Sequence, residues 1–153
     1  MAIGFPLHID LAGNNCTVFG GGEHAARRVR ELRQFGARIT VIAPTLCPAL
    51  QALSDAGDIR HIPRKYYRSD CTNSQLCVAA TDEPAVNIAI ATECKAKGVP
   101  VNVTDPAAYG NFQFPRVILQ DGVLVSITGD APTETLQKLR DRLQEIIPTI
   151  LDE

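Results

Sequence analysis

The stretch that decides the fold covers residues 16–25 and reads CTVFGGGEHA. Its first four residues form a short apolar run, which ends at three glycines and is followed by a helical pattern. Gly20, Gly22 and Ala25 have the G-x-G-x-x-A spacing of the dinucleotide-binding fingerprint. In that fingerprint the first glycine allows a tight turn, the second lets the backbone approach a pyrophosphate, and the small third residue permits close helix–strand packing. A strand, a glycine turn and a helix in this order predict a nucleotide site; the alternative is a glycine-rich turn that binds nothing.

The chain around this motif alternates between short apolar runs and helical patterns. Strands are predicted over residues 16–19, 38–43, 59–62, 75–80 and 99–103. Helices are predicted over residues 23–34, 46–53 and 84–97. We predict that these elements form a continuous β-α-β-α-β-α-β-α-β alternation. Such an alternation implies right-handed crossovers and a parallel sheet covered on both faces. The fold class is therefore predicted as α/β, with a Rossmann-like, NAD(P)-binding parallel sheet over residues 1–110.

The last third of the chain has a different pattern. Three strands follow one another without an intervening helix, over residues 112–114, 116–120 and 123–128. Asp121-Gly122 is a strong hairpin signal between the last two. A final helix over residues 132–147 carries an apolar stripe made of Leu136, Leu139, Leu143, Ile146 and Ile147. Residues 111–153 are therefore predicted to form a small dimerisation region, a β-hairpin with a helix, whose apolar stripe needs a partner subunit to cover it.

The composition excludes several classes of protein. Hydrophobic residues make up 45% and charged residues 21% of the 153 residues, which is typical of a globular domain and not of a disordered chain. The net charge of −2 argues against an electrostatic grip on nucleic acid or anionic lipid. No apolar run approaches the ~18 residues of a membrane span, and the N-terminus lacks the pattern of a signal peptide. We therefore expect neither a nucleic acid nor a membrane as a partner.

The cysteines and histidines do not suggest a metal site. The five cysteines are odd in number and contain no C-x-x-C pair, which argues against a disulfide framework or structural zinc. We interpret them as small buried side chains in the reducing cytoplasm, where the protein is expected to be located. The three histidines, His8, His24 and His61, have no metal-ligand spacing, so no metal is predicted. His24 lies in the first turn after the glycines, where it contacts either the cofactor or solvent.

Polar residues follow the predicted strands at the edge of the sheet where ligands bind in open α/β folds. Thr81 and Asp82 follow the fourth strand, and Asp82 either faces the cofactor or caps the next helix. Asp105 follows the fifth strand, where its carboxylate either acts as a general acid or base or only forms an Asp-Pro turn. Residues 126–133 lead into the last helix and either bind an anion through backbone N–H groups or start a helix capped by Asp130.

The end of the second strand lacks one part of the fingerprint. An Asp or Glu is expected there, about 20 residues after the glycines, to hold the ribose hydroxyls. Residues 42–45 instead read IAPT, so Thr45 and backbone groups would have to bind the ribose. The sequence therefore predicts a nicotinamide dinucleotide without distinguishing NAD from NADP.

A longer series of motifs resembles the dehydrogenase/chelatase module of the siroheme synthase family. The resemblance covers about residues 5–143. Its motifs are, in order, VFGGG at 18–22 with Ala25 and Arg27, Gly36-Ala37, Thr40-Val41, AATD at 79–82, Val86-Asn87, V-N-V-x-D at 101–105 and F-x-x-P at 112–115. The order and spacing of the later motifs are more specific than the glycine turn, which many folds share.

This resemblance implies an NAD-dependent oxidation of the tetrapyrrole precorrin-2 to sirohydrochlorin and, in bifunctional members, the insertion of ferrous iron to give siroheme. It implies a homodimer whose tetrapyrrole cleft lies near both chains. The key acid of the family corresponds to Asp105, since one carboxylate can accept the protons released on oxidation and on metal insertion. The implied cofactor-binding residues are Gly20, Gly21, Gly22, Glu23, His24, Pro44, Thr45, Thr81 and Asp82. The implied substrate-binding residues are Asn102, Ser126, Thr128 and Gly129.

Two features depart from the family pattern. Where its members have S-T/S-G-G-x-S-P, residues 126–132 read SITGDAP, so the second glycine and the serine are replaced. The chain ends at Glu153, so most of the family's C-terminal helical domain is expected to be absent. These departures keep open the alternative of a non-catalytic NAD-binding or sensing module that has lost the tetrapyrrole cleft. The intact fingerprint argues against a third reading, a chelatase without dehydrogenase activity.

Overall fold

The structure is a computed structural model, and it describes residues 4–152. These residues form two compact units, each with its own internal contacts. The first unit is His8–Gln113, and the second combines residues 4–7 with residues 114–152.

A five-stranded parallel sheet with the strand order β3-β2-β1-β4-β5 forms the first unit. Its strands are β1 (Asn15–Phe19), β2 (Arg38–Ile42), β3 (Arg60–Ile62), β4 (Leu76–Ala79) and β5 (Val101–Val103). Its helices are α1 (Glu23–Arg33), α2 (Pro48–Asp55) and α3 (Pro84–Ala96), and a short 3₁₀ turn covers Ala107–Tyr109. The predicted α/β class is confirmed, and the predicted strands and helices of this region agree with the structure to within two residues at each end.

The core of this unit explains why these segments fold as they do. All four residues of β4 are buried, which confirms the burial on both faces expected from its unbroken apolar run. Helix α1 turns its apolar stripe inward and buries Ala25, Ala26, Val29 and Leu32. Ala25 is completely buried, as the small third residue of the fingerprint requires.

The connection between β3 and β4 contains no helix, so the continuous alternation predicted for this region is wrong at this point. Residues 63–75 form turns, and the carboxylate of Glu93 in α3 holds them in place. Glu93 accepts hydrogen bonds from the hydroxyl of Tyr66 and from the amide of Ser69, the latter at 2.6 Å. Lys97 donates to the same carboxylate at 2.7 Å. These bonds therefore add to the backbone bonds of the turns, such as the one from the Asp70 amide to the Tyr67 carbonyl at 3.1 Å.

These contacts set the ionisation of Glu93. Burial alone would raise its pKa, but the hydrogen bonds from Lys97, Tyr66 and the Ser69 amide outweigh burial and lower the pKa to about 2. The side chain of Glu93 is only 9% exposed. The negative charge is therefore built into the folded state and stabilises it.

The second unit is a hairpin packed against one helix. Its strands are β6 (Arg116–Gln120) and β7 (Val123–Ile127), which pair antiparallel, and its helix is α4 (Thr133–Leu151). Asp121 and Gly122 both have positive φ, +50° and +78°, so the predicted two-residue turn is confirmed. Ile118, Ile127 and Ile147 form its small buried core.

The strand predicted over residues 112–114 is absent from this described part of the chain. Asn111 uses its amide and its side-chain oxygen on one residue, Val101, with bonds of 2.9 and 2.8 Å. The Phe112 carbonyl then accepts a bond from the side chain of Asn102 at 3.1 Å. One backbone bond and two side-chain bonds therefore hold this segment beside β5, and no regular backbone ladder forms there.

The last helix is longer than predicted. The predicted helix ends at Ile147, but α4 continues through Pro148 to Leu151. A proline lacks only its own N–H and leaves its carbonyl free to accept a bond. The amide of Asp152 donates to that carbonyl at 3.1 Å and completes the last turn. None of the helices between residues 4 and 152 is long and apolar enough to cross a membrane.

Replacing Glu93 by glutamine tests this anchor. The folded-state pKa of about 2 lies below the ordinary value of 4.5, so the carboxylate stabilises the fold fully above about pH 4.5. That stabilisation decreases as the pH falls towards 2. We expect Glu93→Gln to lower the free energy of unfolding by about 1–3 kcal/mol near neutral pH, and the difference from the wild type to shrink in acid. Urea unfolding of the variant and the wild type at a series of pH values measures the difference in the free energy of unfolding and how it changes with pH.

The matched control is Glu31→Gln, which removes a surface ion pair with Arg28 and is expected to cost under about 1 kcal/mol. A Glu93→Gln variant as stable as the wild type near neutral pH would show that the loop is held by other contacts.

Candidate functional site

Loops that follow β1, β2, β4 and β5 meet at the carboxyl edge of the sheet. The Gly20 amide donates to the Ile42 carbonyl at 3.0 Å, and the Thr104 amide donates to the Ala79 carbonyl at 3.0 Å. Each bond joins the start of one loop to a neighbouring strand. Ligands bind outside this edge in open α/β sheets, so the loops of this edge form the candidate site.

Gly20 and Gly21 pack the glycine turn directly against neighbouring backbone. Gly20 has a φ of +119°, and a Cβ there would overlap the Ala80 carbonyl. A Cβ on Gly21 would overlap the carbonyl oxygen of Thr45. Neither position has room for a side chain, so the fold itself requires both glycines. The turn thereby brings Thr45 and the end of β4 next to the start of α1.

Gly22 differs from these two glycines because the space beside it is open. Nothing lies within 4 Å of the position that its Cβ would take, and its φ of −90° is ordinary. It is the N-cap of α1, and no side chain caps this helix. The first amides of a helix have no partner within it and form its positive end. An open cradle facing free N–H groups fits a pyrophosphate, and Glu23 and His24 lie exposed in its first turn.

The end of β2 offers no charged side chain to a ribose. Pro44 and Thr45 are both exposed at this edge. The Ala43 carbonyl is held by a ring nitrogen of His61 at 2.8 Å, and the Cys47 amide donates to the Gly21 carbonyl at 2.7 Å. The loop is therefore tied to its neighbours and presents one hydroxyl and backbone groups. It neither repels a 2′-phosphate nor pairs with one.

The side chain of Asn87 joins the loop after β4 to the end of β5. Asn87 is completely buried in α3. Its oxygen accepts bonds from the amide and the hydroxyl of Thr81, at 3.0 and 2.7 Å. Its nitrogen donates to the carbonyls of Thr81 and Asp105, at 3.1 and 2.8 Å. One side chain therefore connects a predicted cofactor residue to the predicted catalytic acid.

Asp105 lies directly after β5, in a turn, with its residue exposed. The peptide that joins it to Pro106 is cis. The turn predicted from the Asp-Pro pair is present at residues 105–106, and Asp105 lies at the carboxyl edge of the sheet. A turn residue and a candidate acid are compatible descriptions of this side chain.

Asp82 does not cap α3, so that alternative is wrong. The N-cap is Glu83, and it makes no side-chain capping bond. The hydroxyl of Thr81 contacts the Glu83 amide at 3.3 Å, which leaves Asp82 without a capping function. Asp82 is exposed beside Thr81 at the carboxyl edge, and Thr81 itself is half-buried.

The predicted substrate residues fall into both units. Asn102 lies in β5, 9% exposed, and its side-chain nitrogen is bound to the Phe112 carbonyl. Its oxygen is buried and has no hydrogen-bond partner among residues 4–152. Ser126, Thr128 and Gly129 belong to the second unit, where all three are exposed.

Asp130 does not cap the last helix. The N-cap of α4 is Pro132, and it has no side-chain capping bond, so the alternative of a cap supplied by Asp130 is wrong. Apart from the buried Ile127, residues 126–132 are exposed where they lead into α4.

The described cysteines and acids give no metal cluster. Cys16, Cys71, Cys77 and Cys94 are buried, Cys47 is half-buried, and all five are free thiols. Burial raises the pKa of Cys16 to about 11, which keeps this thiol protonated. Within residues 4–152, no three His, Cys, Asp or Glu side chains are grouped so that they could hold a metal ion.

Comparison with known families identifies the nucleotide-binding part of the chain. The NAD_binding_7 family, whose description concerns NAD(P) binding, matches residues 7–116. The chain belongs to this family. The match includes the glycine turn, Asn87 and Asp105, so the whole carboxyl edge lies within it.

Individual relatives are more specific than the family model. The chain is 35% identical to a siroheme synthase of Chromobacterium violaceum and 38% identical to one of Pseudoalteromonas atlantica, over 94% of its own length in each case. It spans 31% of the length of each of these relatives. The solved structure of SirC, a precorrin-2 dehydrogenase, is similar with a TM-score of 0.73 and 28% identity, over 92% of this chain and 70% of that one. The resemblance to the siroheme synthase family is thereby confirmed.

The sequence predicted no function for Asn87, although its side chain makes four hydrogen bonds at the site. Its signal was its position on the buried stripe of α3, which otherwise consists of Ile90, Ala91 and Cys94. A polar residue on an apolar stripe must find partners inside the fold. His61 was likewise assigned only to a strand, and the position of β3 beside β2 explains its contact with Ala43.

Substituting Gly22 tests the nucleotide site without disturbing the fold. An aspartate fits the open space and is a favourable N-cap, so Gly22→Asp is expected to keep or slightly raise the thermal stability. Its negative charge would lie where the pyrophosphate binds. We expect NAD affinity, measured by calorimetry, to fall by about 100-fold or more, equivalent to roughly 3 kcal/mol.

Gly22→Ala is the matched control, since it adds a Cβ without charge and should retain most of the affinity. Gly21→Ala is expected to destabilise the fold, because its Cβ would overlap the Thr45 carbonyl. Unchanged NAD binding in Gly22→Asp would remove this turn as the nucleotide site.

Proposed function

We propose that this chain catalyses the NAD-dependent oxidation of precorrin-2 to sirohydrochlorin, a step of siroheme biosynthesis, in the cytoplasm. The observation that carries the proposal is that Asp105 and the open glycine turn lie at the same edge of one parallel sheet. The similarity to SirC, a precorrin-2 dehydrogenase, and to siroheme synthases supports this substrate class.

The cofactor-binding residues of the proposal are Gly20, Gly21, Gly22, Glu23, His24, Pro44, Thr45, Thr81 and Asp82. When bound, NAD supplies the acceptor for the hydride that leaves the tetrapyrrole. The glycine turn and the first amides of α1 bind the pyrophosphate, and Thr45 with the backbone of its loop binds the ribose. The absence of charge at Thr45 and Pro44 leaves the choice of NAD over NADP to other contacts of the cofactor.

Asp105 is the general base of the proposed reaction. Oxidation of the macrocycle removes one hydride and one proton, and the proton needs an acceptor close to the ring. The Asp105 carboxylate is exposed at the sheet edge and can take this proton on a side-chain oxygen. Asn102, Ser126, Thr128 and Gly129 are proposed to bind the tetrapyrrole, and the last three are exposed residues.

The same carboxylate suits a second reaction, the insertion of ferrous iron as a substrate. Two pyrrole N–H protons must leave when the metal enters, and Asp105 can accept them in turn. A non-catalytic NAD-sensing module is the other candidate function, and the observation that favours it is the SITGDAP segment at 126–132, which departs from the family's S-T/S-G-G-x-S-P pattern. The experiment below separates these three outcomes.

The second unit is proposed as the dimerisation region. Leu119 lies on the hairpin face opposite the buried Ile118 and is 58% exposed. On α4, Leu136, Leu143 and Ile147 of the predicted stripe pack within the unit. Its other members, Leu139 and Ile146, are exposed together with Ile150. Exposed apolar side chains on both elements of so small a unit are typical of a surface that a second copy covers.

Replacing Asp105 tests the proposed chemistry. We expect Asp105→Ala to lower the turnover of precorrin-2 by about 100-fold or more, since this is the usual scale for losing a positioned base. Asp105→Asn keeps the shape but cannot accept a proton, so it should be nearly as damaging. NAD affinity should stay within a few-fold, because the pyrophosphate loop is a different part of the site. The assay follows the absorbance of the tetrapyrrole with NAD, and then with ferrous or cobalt ion added.

Asp152→Asn, a change in an exposed terminal carboxylate, is the control and should leave both rates unchanged. Wild-type turnover in Asp105→Ala would show that Asp105 is only a turn residue. NAD binding by the wild type without any oxidation of precorrin-2 would favour the sensing module.

Light scattering tests the proposed dimer. We expect a mass close to twice 16.5 kDa for the wild type at micromolar concentration. Leu119→Glu introduces a charge into the proposed interface and should shift the mass towards the monomer. Gln144→Glu, an exposed polar position on α4, is the control and should not. A wild-type mass near 16.5 kDa would contradict the dimer.

A further inference from the structure

We infer that Asn87 is a positioning residue, which holds the backbone of Asp105 in register with the nucleotide loop at Thr81. The inference rests on the proposed function, because it concerns how the proposed base is oriented. Asn87 itself is buried and touches neither cofactor nor substrate.

The hydrogen bonds of Asn87 determine which way its amide faces. Its nitrogen lies against two carbonyl oxygens, those of Thr81 and Asp105, and a carbonyl oxygen can only accept. Its oxygen lies against the Thr81 amide, which can only donate. All four hydrogen-bonding positions of the side chain are therefore occupied, two as donor and two as acceptor.

No other residue type provides this pattern in the same volume. Aspartate keeps both acceptor bonds to Thr81 but turns the donor into an oxygen that faces two carbonyls. Leucine fills the space and makes none of the bonds, which leaves buried polar groups without partners. The side chain at this position therefore selects one arrangement of the two loops.

The bond to Asp105 is the specific part of this arrangement. Among residues 4–152, no other side chain donates a hydrogen bond to the Asp105 carbonyl. The next residue towards the strand, Thr104, is held independently by the Ala79 carbonyl. Losing the Asn87 donor thus releases the turn that carries the carboxylate while β5 stays in place. A misplacement of about 1 Å at a reacting group can cost about 100-fold in rate.

A double-mutant cycle between Asn87→Asp and Asp105→Ala tests the inference. In the wild-type background we expect Asn87→Asp to lower the turnover of precorrin-2 by about tenfold or more. NAD affinity should change by no more than a few-fold, because the bonds to the Thr81 amide and hydroxyl are kept. In the Asp105→Ala background the same substitution should change the residual turnover by less than about twofold, since the group that it positions is already gone.

A purely structural role predicts a different result. Loss of folded protein would lower turnover by the same factor in both backgrounds, and that outcome would overturn the inference, as would wild-type turnover in Asn87→Asp. Thr17→Val is the matched control, since it removes another largely buried side-chain bond of the same sheet, to Ser74 at 2.7 Å, and should leave turnover unchanged.

Two further readouts keep the result decisive. If Asn87→Asp does not fold, Asn87→Ser runs the same cycle with a shorter side chain that still has a donor and an acceptor. If Asp105→Ala oxidises precorrin-2 at the wild-type rate, the proposal that Asp105 is the general base is contradicted. Wild-type turnover in Asn87→Asp alone would contradict only the positioning role of Asn87, so the two results are distinguishable.

Discussion

The close approach of Gly20 and Gly21 to the backbone of neighbouring strand ends is the constraint on which the site depends. The Ala80 and Thr45 carbonyls occupy the space that side chains would need at these two positions. This contact draws the ends of β1, β2 and β4 together and aims the start of α1 at the same edge. Gly22 continues the turn with open space beside it, so the same three-residue segment both closes the fold and leaves room for an anion.

Buried polar groups complete the arrangement that the glycines begin. Asn87 links the loop after β4 to the turn after β5, and Glu93, six residues further along α3, anchors the irregular crossing from β3 to β4. Both side chains lie within the described fold with their partners, as buried polar groups must. Helix α3 therefore orders three connections of the sheet through side-chain contacts, and two of them, those after β4 and β5, carry the candidate chemistry.

Local patterns predicted most of the first unit because its elements are decided by local chemistry. The unbroken apolar run of β4, the stripe of α1 and the glycine turn each predicted their own structure. The irregular structure of the β3–β4 crossing was not predicted, because Glu93 in helix α3 holds it in place. No local sequence pattern reports such a contact. The same holds for Asn87, whose partners lie up to 18 residues away, and for the start of α3, which has no side-chain cap although local rules allowed the aspartate one.

Nitrogen–proton correlation NMR of the protein titrated with NAD measures the central claim most directly, because it reports each backbone amide separately. The account predicts that the largest shifts fall on the amides of the glycine turn and the first turn of α1, with smaller shifts at Thr45 and Thr81. Shifts confined to residues outside the carboxyl edge of the sheet, or no shifts at millimolar NAD, would contradict the assignment of this edge as the nucleotide site.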